Sequence, residues 1–200
     1  MRNNTSASNR EYVLSESETI VSKTDLHGNI TYINQDFVNI SGYSEEELLG
    51  SPQNIVRHPD MPKEAFADFW RTLKSGKAWT GLVKNRCKNG DHYWVEANAA
   101  PLLENGQIIG YTSIRIKPSR EQVRAAESAY REITAGNKTL EVVEGEAVRR
   151  SLFKRFNVLK NASIKSRMIM SSGLLALLFA ANLVTAAINQ SINQSIIAGQ

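Results

Sequence analysis

The sequence predicts an α+β fold, with strands at both ends of one domain and short helices between them. Two short β-type runs, Thr19-Ile-Val-Ser-Lys23 and Asn29-Ile-Thr-Tyr-Ile33, flank the turn residues Asp25-Leu-His-Gly28. Helix-capping and helix-stopping residues then recur between Gln35 and Gly76. Three longer alternating runs, separated by Asn89-Gly90 and Asn105-Gly106, close the domain at Lys117. The 200 residues, 42% hydrophobic and 22% charged, suffice for one globular domain plus extra segments. The single cysteine, Cys87, excludes a disulfide framework and a cysteine-rich zinc site, and fits a reducing compartment.

Taken in order, residues 1–18 are polar and read as a flexible leader, or else as a cap on the next domain. They lack the apolar stretch of a secretory signal. After the hairpin, Gln35 to Ile40 forms a short helix with Phe37 and Ile40 facing inward. Ser44 caps the next, where Glu47 completes a capping box and Gly50 ends the turn. Lys63 to Leu73 is an aromatic helix whose Phe66, Phe69, Trp70 and Leu73 follow one apolar stripe. In the strand from Ala78 to Arg86, Trp79, Gly81, Val83 and Asn85 share one face, and Thr80, Leu82, Lys84 and Arg86 the other. The returning strand runs from His92 to Pro101 with Tyr93, Val95, Ala97 and Ala99 on one face. In the last, Gln107 to Lys117, Thr112, Ile114 and Ile116 oppose Ser113 and Arg115.

A helical basic linker is expected over residues 118–167. Ser119-Arg-Glu-Gln122 is a capping box for a helix to about residue 135. Beyond it Leu140, Val142 and Val143 admit a strand, while Glu146 to Phe156 reads as basic helix. From Lys117 to Arg167 twelve Lys/Arg face six Asp/Glu, a net +6, so the overall +4 leaves −2 elsewhere. That stretch lacks the interleaved aromatics of a nucleic-acid groove, and no nucleic-acid partner is expected. Residues 168–188 are 21 uncharged residues, long enough as a helix to cross a bilayer core of roughly 30 Å. Basic residues flank it on the N-terminal side only, which places the domain in the cytoplasm. Residues 189–200 would begin an extracytoplasmic segment, and their abrupt uncharged end suggests that a longer protein continues.

The most unusual stretch is Asn54-Ile-Val-Arg-His-Pro-Asp-Met-Pro62, which concentrates a cation, an imidazole, a carboxylate and two prolines between two helices. So much polar chemistry in one connection points to the grip on a buried ligand. Gly81, Ala97 and Ala99 remove bulk from facing strands, and Phe66, Trp70 and Trp79 can rim the resulting cavity, a shape suited to a flat ring. Asn85 shares that face, and its amide both donates and accepts. No histidine has a partner at metal-ligand spacing, and no nucleophile elbow or phosphate loop is present, so neither a metal site nor an enzyme is expected.

With these elements placed, residues 19–117 resemble a PAS sensory domain. Asn54-Ile-Val-Arg-His-Pro-Asp-Met-Pro-Lys63, Trp79-Thr-Gly-Leu-Val-Lys-Asn85 and Lys88-Asn-Gly-Asp-His-Tyr-Trp94 together resemble the bacterial aerotaxis-receptor family, redox-sensing chemotaxis transducers. The resemblance implies a five-stranded antiparallel sheet with helices on one face and a non-covalent FAD. It implies continuation into a second membrane crossing, a HAMP module and a kinase-control domain. It also implies receptor dimers in the bacterial inner membrane, acting on a chemotaxis histidine kinase and its coupling protein. Against flavin-binding light sensors of the same fold, Asn85 falls where an Asn contacts the isoalloxazine and Thr112 where they carry Gln. Their photoreactive cysteine is missing.

The expected cofactor-binding residues are therefore Asn34, Arg57, His58, Asp60, Phe66, Trp70, Trp79, Asn85 and Thr112. Arg57 would neutralise pyrophosphate with its forked donors, and His58 would meet ribose, phosphate or adenine. Asp60 is either a ribose ligand, a partner for Arg57, or a helix N-cap. Asn34 also reads as a strand-end turn residue, and Trp70 as core. Two other functions compete with FAD redox sensing. One is a cofactor-free PAS module that dimerises receptors. The other is a heme sensor using His58.

Overall fold

The computed structural model describes residues 8–150. Seven strands and four α-helices are present among them: β1 Ile20–Thr24, β2 Ile30–Ile33, α1 Gln35–Ser41, α2 Glu45–Leu48, α3 Lys63–Lys74, β3 Trp79–Arg86, β4 His92–Glu104, β5 Gln107–Ile116, α4 Arg120–Thr134, β6 Leu140–Val143 and β7 Glu146–Arg149. A 3₁₀ turn occupies Gln53–Val56. The first five strands form one antiparallel sheet in the order β2-β1-β5-β4-β3. Sequence neighbours thus pair locally, and one long-range ladder, β1 with β5, closes the sheet. The β4 strand continues past Pro101 to a bulge at Leu102/Leu103.

Helices α1, α2 and α3 cover one face. Asn34 caps α1, and Ser44 with Glu47 makes the expected capping box on α2. Ile20, Phe37, Ile40, Leu48, Phe69, Leu73, Tyr93 and Val95 meet in the core beneath them. The buried side of α3 is not the aromatic stripe alone. Asp68 and Thr72 turn inward with Ala65, Phe69 and Leu73, while Phe66 and Trp70 stand half-buried at its flank.

The opposite face is covered in part by elements that follow residue 117. Helix α4 and the β6–β7 hairpin pack there, burying Trp94, Val123, Tyr130, Ile133 and Val142 with Met61. Tyr130 donates to the Leu82 carbonyl at 2.8 Å and stacks on Trp94. The segment predicted as basic helix from Glu146 is instead a strand as far as Arg149. Glu144 and Gly145, both with positive φ, make the tight turn that pairs it with Leu140–Val143. Of the expected helical linker, only Arg120–Thr134 is helix among the described residues. No helix among those residues is long and apolar enough to cross a membrane, and the expected span, residues 168–188, lies outside them.

Residues 8–18 form a cap. Ser8 donates its backbone N–H to Gly90, Tyr12 and Arg10 exchange backbone bonds with His92, and Glu11 pairs with Arg120 on α4. Polar composition conceals this, because a single apolar side chain, Leu14, is inserted fully into the core. Leu14→Ala should therefore lower stability by about 2–5 kcal/mol in urea unfolding. Exposed Val13→Ala should change it by less than about 0.5 kcal/mol. Equal effects would mean that the cap is not part of the folded unit.

Candidate functional site

Strand β3 is an edge strand, and the polar loop before α3 pairs with it. Arg57 bridges to Asn85, the His58 N–H donates to the Lys84 carbonyl, and the Lys84 N–H donates to Met61 Sδ. The loop thus occupies an edge that would otherwise be exposed. It also divides its side chains between the two faces of the sheet. Arg57 turns to the inner face, whereas His58 and Asp60 turn around the edge toward Lys84.

On the inner face a cavity of about 40 Å³ lies among Val56, Arg57, Met61, Phe66, Phe69, Trp79, Val83, Asn85, Ala97, Ser113 and Arg115. Two guanidinium groups and two amides, those of Gln53 and Asn85, line it, and no carboxylate does. Arg57 stacks over Phe66 at 3.9 Å and donates weakly to the Met61 carbonyl. Arg115 is buried over the Phe37 ring and donates to Ser22 Oγ at 3.1 Å. The Tyr93 hydroxyl, on the same face as Asn85 and close to its amide, finds no well-formed hydrogen bond among the described residues. Burial pushes that phenol far above its usual range, so it stays neutral. At the mouth, Gln53, Arg57 and Phe66 also border an open cleft of about 480 Å³ with His27, Asn54, Trp70 and Lys74.

Trp79 explains why the cavity is small. Its ring lies over Gly81, where an added Cβ would come within 2.5 Å of it. The space that Gly81 leaves is filled by Trp79 rather than left open. The indole N–H donates to Asp68 Oδ2 at 2.9 Å, and the same oxygen accepts from the Gly145 N–H at 2.8 Å. Arg71 pairs with the other oxygen. Asp68 therefore ties a cavity residue to the tip of the β6–β7 hairpin. Gly145 is required there, since a Cβ would meet the Thr80 carbonyl at 1.8 Å.

The PAS fold family model matches residues 30–115. That stretch has the PAS fold. Over 137 residues the chain is 51% identical to the aerotaxis receptor of Escherichia coli, covering 68% of this chain and 27% of that protein. It resembles the N-terminal part of that receptor. It is 28% identical over 104 residues to a nitrogen fixation regulatory protein of Klebsiella pneumoniae, covering 52% of this chain and 21% of that one. The chain thus spans only about a quarter of the length of these relatives. In fold alone it resembles the light-state structure of the blue-light photoreceptor Aureochrome1 LOV, with a TM-score of 0.50 at 19% identity, over 62% of this chain and 93% of that one.

The PAS domain brings Arg57, Phe66, Trp79 and Asn85 together around the cavity, and leaves five of the predicted residues outside it. Asn34 is consumed by backbone: it accepts from Val21 and Phe37 and donates to the Thr19 carbonyl. Thr112 pairs with Ala100 and Lys23 on the opposite sheet face, so Ser113 and Arg115 take the inward positions. Trp70 lies edge-on to Phe69 and Tyr111 and borders the outer cleft. Asp60 does not cap α3, whose N-cap is Pro62, nor does it pair with Arg57; it accepts from Lys84 Nζ at 2.8 Å. His58 is buried edge-on to His92, its Nδ1 accepts from the Asp60 N–H, and it does not line the cavity. Arg115 and Asp68 were missed because a charge on a buried face breaks the apolar pattern used to find that face. Cys87 is buried, donates to the Ile40 carbonyl, and has its thiol pushed up to about 11 by burial, far from thiolate chemistry.

Burial, then the Lys84 charge, pushes the His58 imidazole down from 6.5 to about 4, and Asp60 only partly opposes this. The unfolded chain thus binds a proton between these values that the folded chain does not. Stability from His58 is fully present above about pH 6.5 and is lost as pH falls toward 4. Asp60, held below its usual range first by its hydrogen bond from Lys84, loses its own contribution at still lower pH. His58→Gln should therefore flatten the fall in unfolding free energy between pH 6.5 and 4. An NMR titration placing the His58 ring near its ordinary value would contradict this.

Proposed function

We propose that this chain is the sensory part of an aerotaxis transducer, and that its PAS domain binds FAD and senses redox state. The observation that carries the reading is the donor set of the inner cavity: two guanidinium groups, two amides and aromatic walls, without a carboxylate. Such a set suits a ligand that is both aromatic and anionic. The domain is a sensor, not an enzyme. The chain's membrane segment would be residues 168–188, with the PAS domain in the cytoplasm at the bacterial inner membrane. A homodimer, a HAMP module, a kinase-control domain, and the chemotaxis histidine kinase with its coupling protein would complete the pathway.

When bound, FAD would supply a reversible redox couple. The chain's own residues would do the rest. Asn85 presents an amide that serves either protonation state of a ring edge, since it can donate or accept. Ala97 and Ser113 keep bulk off the cavity floor, and Phe69 and Trp79 wall it. Arg57, at the mouth, is placed to hold phosphate, and the adjoining cleft with Lys74 and Trp70 is large enough for the adenosine end of a dinucleotide. Any shift of Trp79 pulls on Asp68 and so on the Gly145 N–H. The hairpin at residues 140–149 would then be one element whose position reports the cavity's state toward residues 151–200.

The present cavity volume favours a second reading. Ligand pockets usually measure ~300–1,000 Å³, so a ring enters only after Met61, Phe66 and Trp79 move. A domain that never opened would be a cofactor-free dimerisation module. Purified full chain should be yellow, or should take up FAD when it is added. Arg57→Ala should weaken FAD binding by about tenfold or more, the worth of a charge-assisted hydrogen bond. Thr80→Ala, exposed and bonded to Asn98 on the other face, should leave binding unchanged. A colourless chain that refuses FAD would leave the dimerisation module standing.

A further inference from the structure

The polar loop also borders a second hollow, on the outer face of the sheet. Between the C-terminal half of α4 and the paired residues Lys84 and Trp94 of β3 and β4 lies a cleft of about 460 Å³, against about 40 Å³ for the inner cavity. That volume lies within the usual range of small-molecule sites, ~300–1,000 Å³. Its apolar wall is Trp94 stacked on Tyr130, ring centroids 6.4 Å apart, with Met61, and all three are buried. Its polar wall carries two charges of each sign, on Asp60, Lys84, Glu127 and Arg131. The Lys84 side chain is only 10% exposed, and its ammonium has one hydrogen-bond partner among the described residues, Asp60 Oδ2 at 2.8 Å. An ammonium has three donors, so two are left to be met beneath α4. An apolar residue alternating with Leu82 would do better there if packing were its only task. Glu127 and Arg131 lie one turn apart on the exposed side of α4 and both border the cleft, yet they do not pair with each other.

We infer that this outer cleft is a binding site for a hydrophobic α-amino acid. Its four charged groups sum to zero, so a ligand that brings both signs leaves none of them uncompensated. A carboxylate and an ammonium on one carbon do so. The carboxylate takes the spare donors of Lys84 and the Arg131 guanidinium, and the ammonium takes Glu127 and the second oxygen of Asp60. The side chain lies against Trp94, Tyr130 and Met61, whose polarisable surfaces suit an aromatic, thioether or branched aliphatic group. A phosphate or a dicarboxylate suits the cleft less well, because its second negative charge meets Asp60 and Glu127 unopposed. An occupied cleft would tie α4 to the loop, since Glu127 and Arg131 belong to the helix and Asp60 to the loop. The inference is independent of the FAD reading: none of the four charged groups lines the inner cavity.

The test is equilibrium dialysis of the full chain in lipid nanodiscs against radiolabelled L-phenylalanine, with unlabelled competitors. Saturable binding of L-phenylalanine with a Kd below about 1 mM is expected, and L-methionine and L-leucine should compete for it. Glycine, which lacks the side chain, and 3-phenylpropionate, which lacks the ammonium, should each compete at least about tenfold more weakly. Arg131→Ala and Glu127→Gln alter exposed residues, and each should weaken binding by about fivefold or more. Arg124→Ala, exposed on the same helix but outside the cleft, should leave it unchanged. Lys84→Met should weaken binding most; if that variant does not fold, the two exposed variants decide. Competition by 3-phenylpropionate as strong as by L-phenylalanine would overturn the assignment of a ligand with both charges. No saturable binding, or equal binding in wild type, Arg131→Ala and Glu127→Gln, would overturn the site and leave Lys84 as a clamp on Asp60 only. The dialysis needs no bound FAD, so its failure would leave the FAD reading standing.

Discussion

The structure depends on what holds the Asp68 carboxylate. It lies on the buried side of α3, where an unpaired charge would be strongly unfavourable. Three donors from three places satisfy it: Trp79 from β3, Gly145 from the hairpin turn, and Arg71 one helical turn away. None of these could move far without leaving a buried acceptor unpaired, at a cost of about 1–3 kcal/mol each. The carboxylate therefore fixes the Trp79 ring against Gly81 and fixes the hairpin against the edge of β3. The small size of the cavity and the docking of residues 140–149 are two consequences of one interaction.

The loop from Asn54 to Pro62 does comparable work at the same edge. A five-stranded sheet that ends at β3 leaves that strand's backbone groups in need of partners, and the loop supplies them through Arg57, His58 and Met61. Only Arg57 bridges to β3, and the chain then turns over His58–Met61, where the Met61 N–H donates to the His58 carbonyl, so the loop's side chains alternate between the inner face and the edge. This separates the charge chemistry of the loop into two places, a guanidinium at the cavity mouth and a carboxylate joined to Lys84 across the sheet. Residues adjacent in sequence therefore serve opposite faces of the sheet.

That alternation explains why the site was less legible in the sequence than the fold. Turn residues and caps are local signals, and Gly28, Ser44, Gly90, Asn105 and Ser119 mark element ends because the backbone geometry there is nearly independent of what lies above it. The hairpin at Glu144-Gly145 carries a similar signal, masked by the helix-forming residues after it. Side-chain direction within an extended loop is not local. Arg57, His58 and Asp60 looked like one constellation because they are close in sequence, and only the pairing with β3 reveals that they part. Asn34 follows its strand-end reading: an amide there can satisfy three backbone groups, and here it does.

Thr112 shows where an apolar pattern reverses the true answer. On β5 the aliphatic residues Ile114 and Ile116 lie outward, and the polar ones inward, so the strand read by hydrophobicity alone faces the wrong way. Its register with β4 settles the matter, because Ser113 lies opposite Ala99 and Arg115 opposite Ala97, both buried. Small residues on one strand and polar residues on its neighbour make a volume that is neither filled nor apolar. A core built for stability alone would have avoided both features. That the inversion occurs on the strand joining β1 to β4, at the centre of the sheet, means that the cavity floor is held from both sides. The mouth is held only by the loop and α3. A ligand that enters must therefore displace Met61, Phe66 and Trp79 rather than the floor, and Trp79 is the member of that group bound to Asp68.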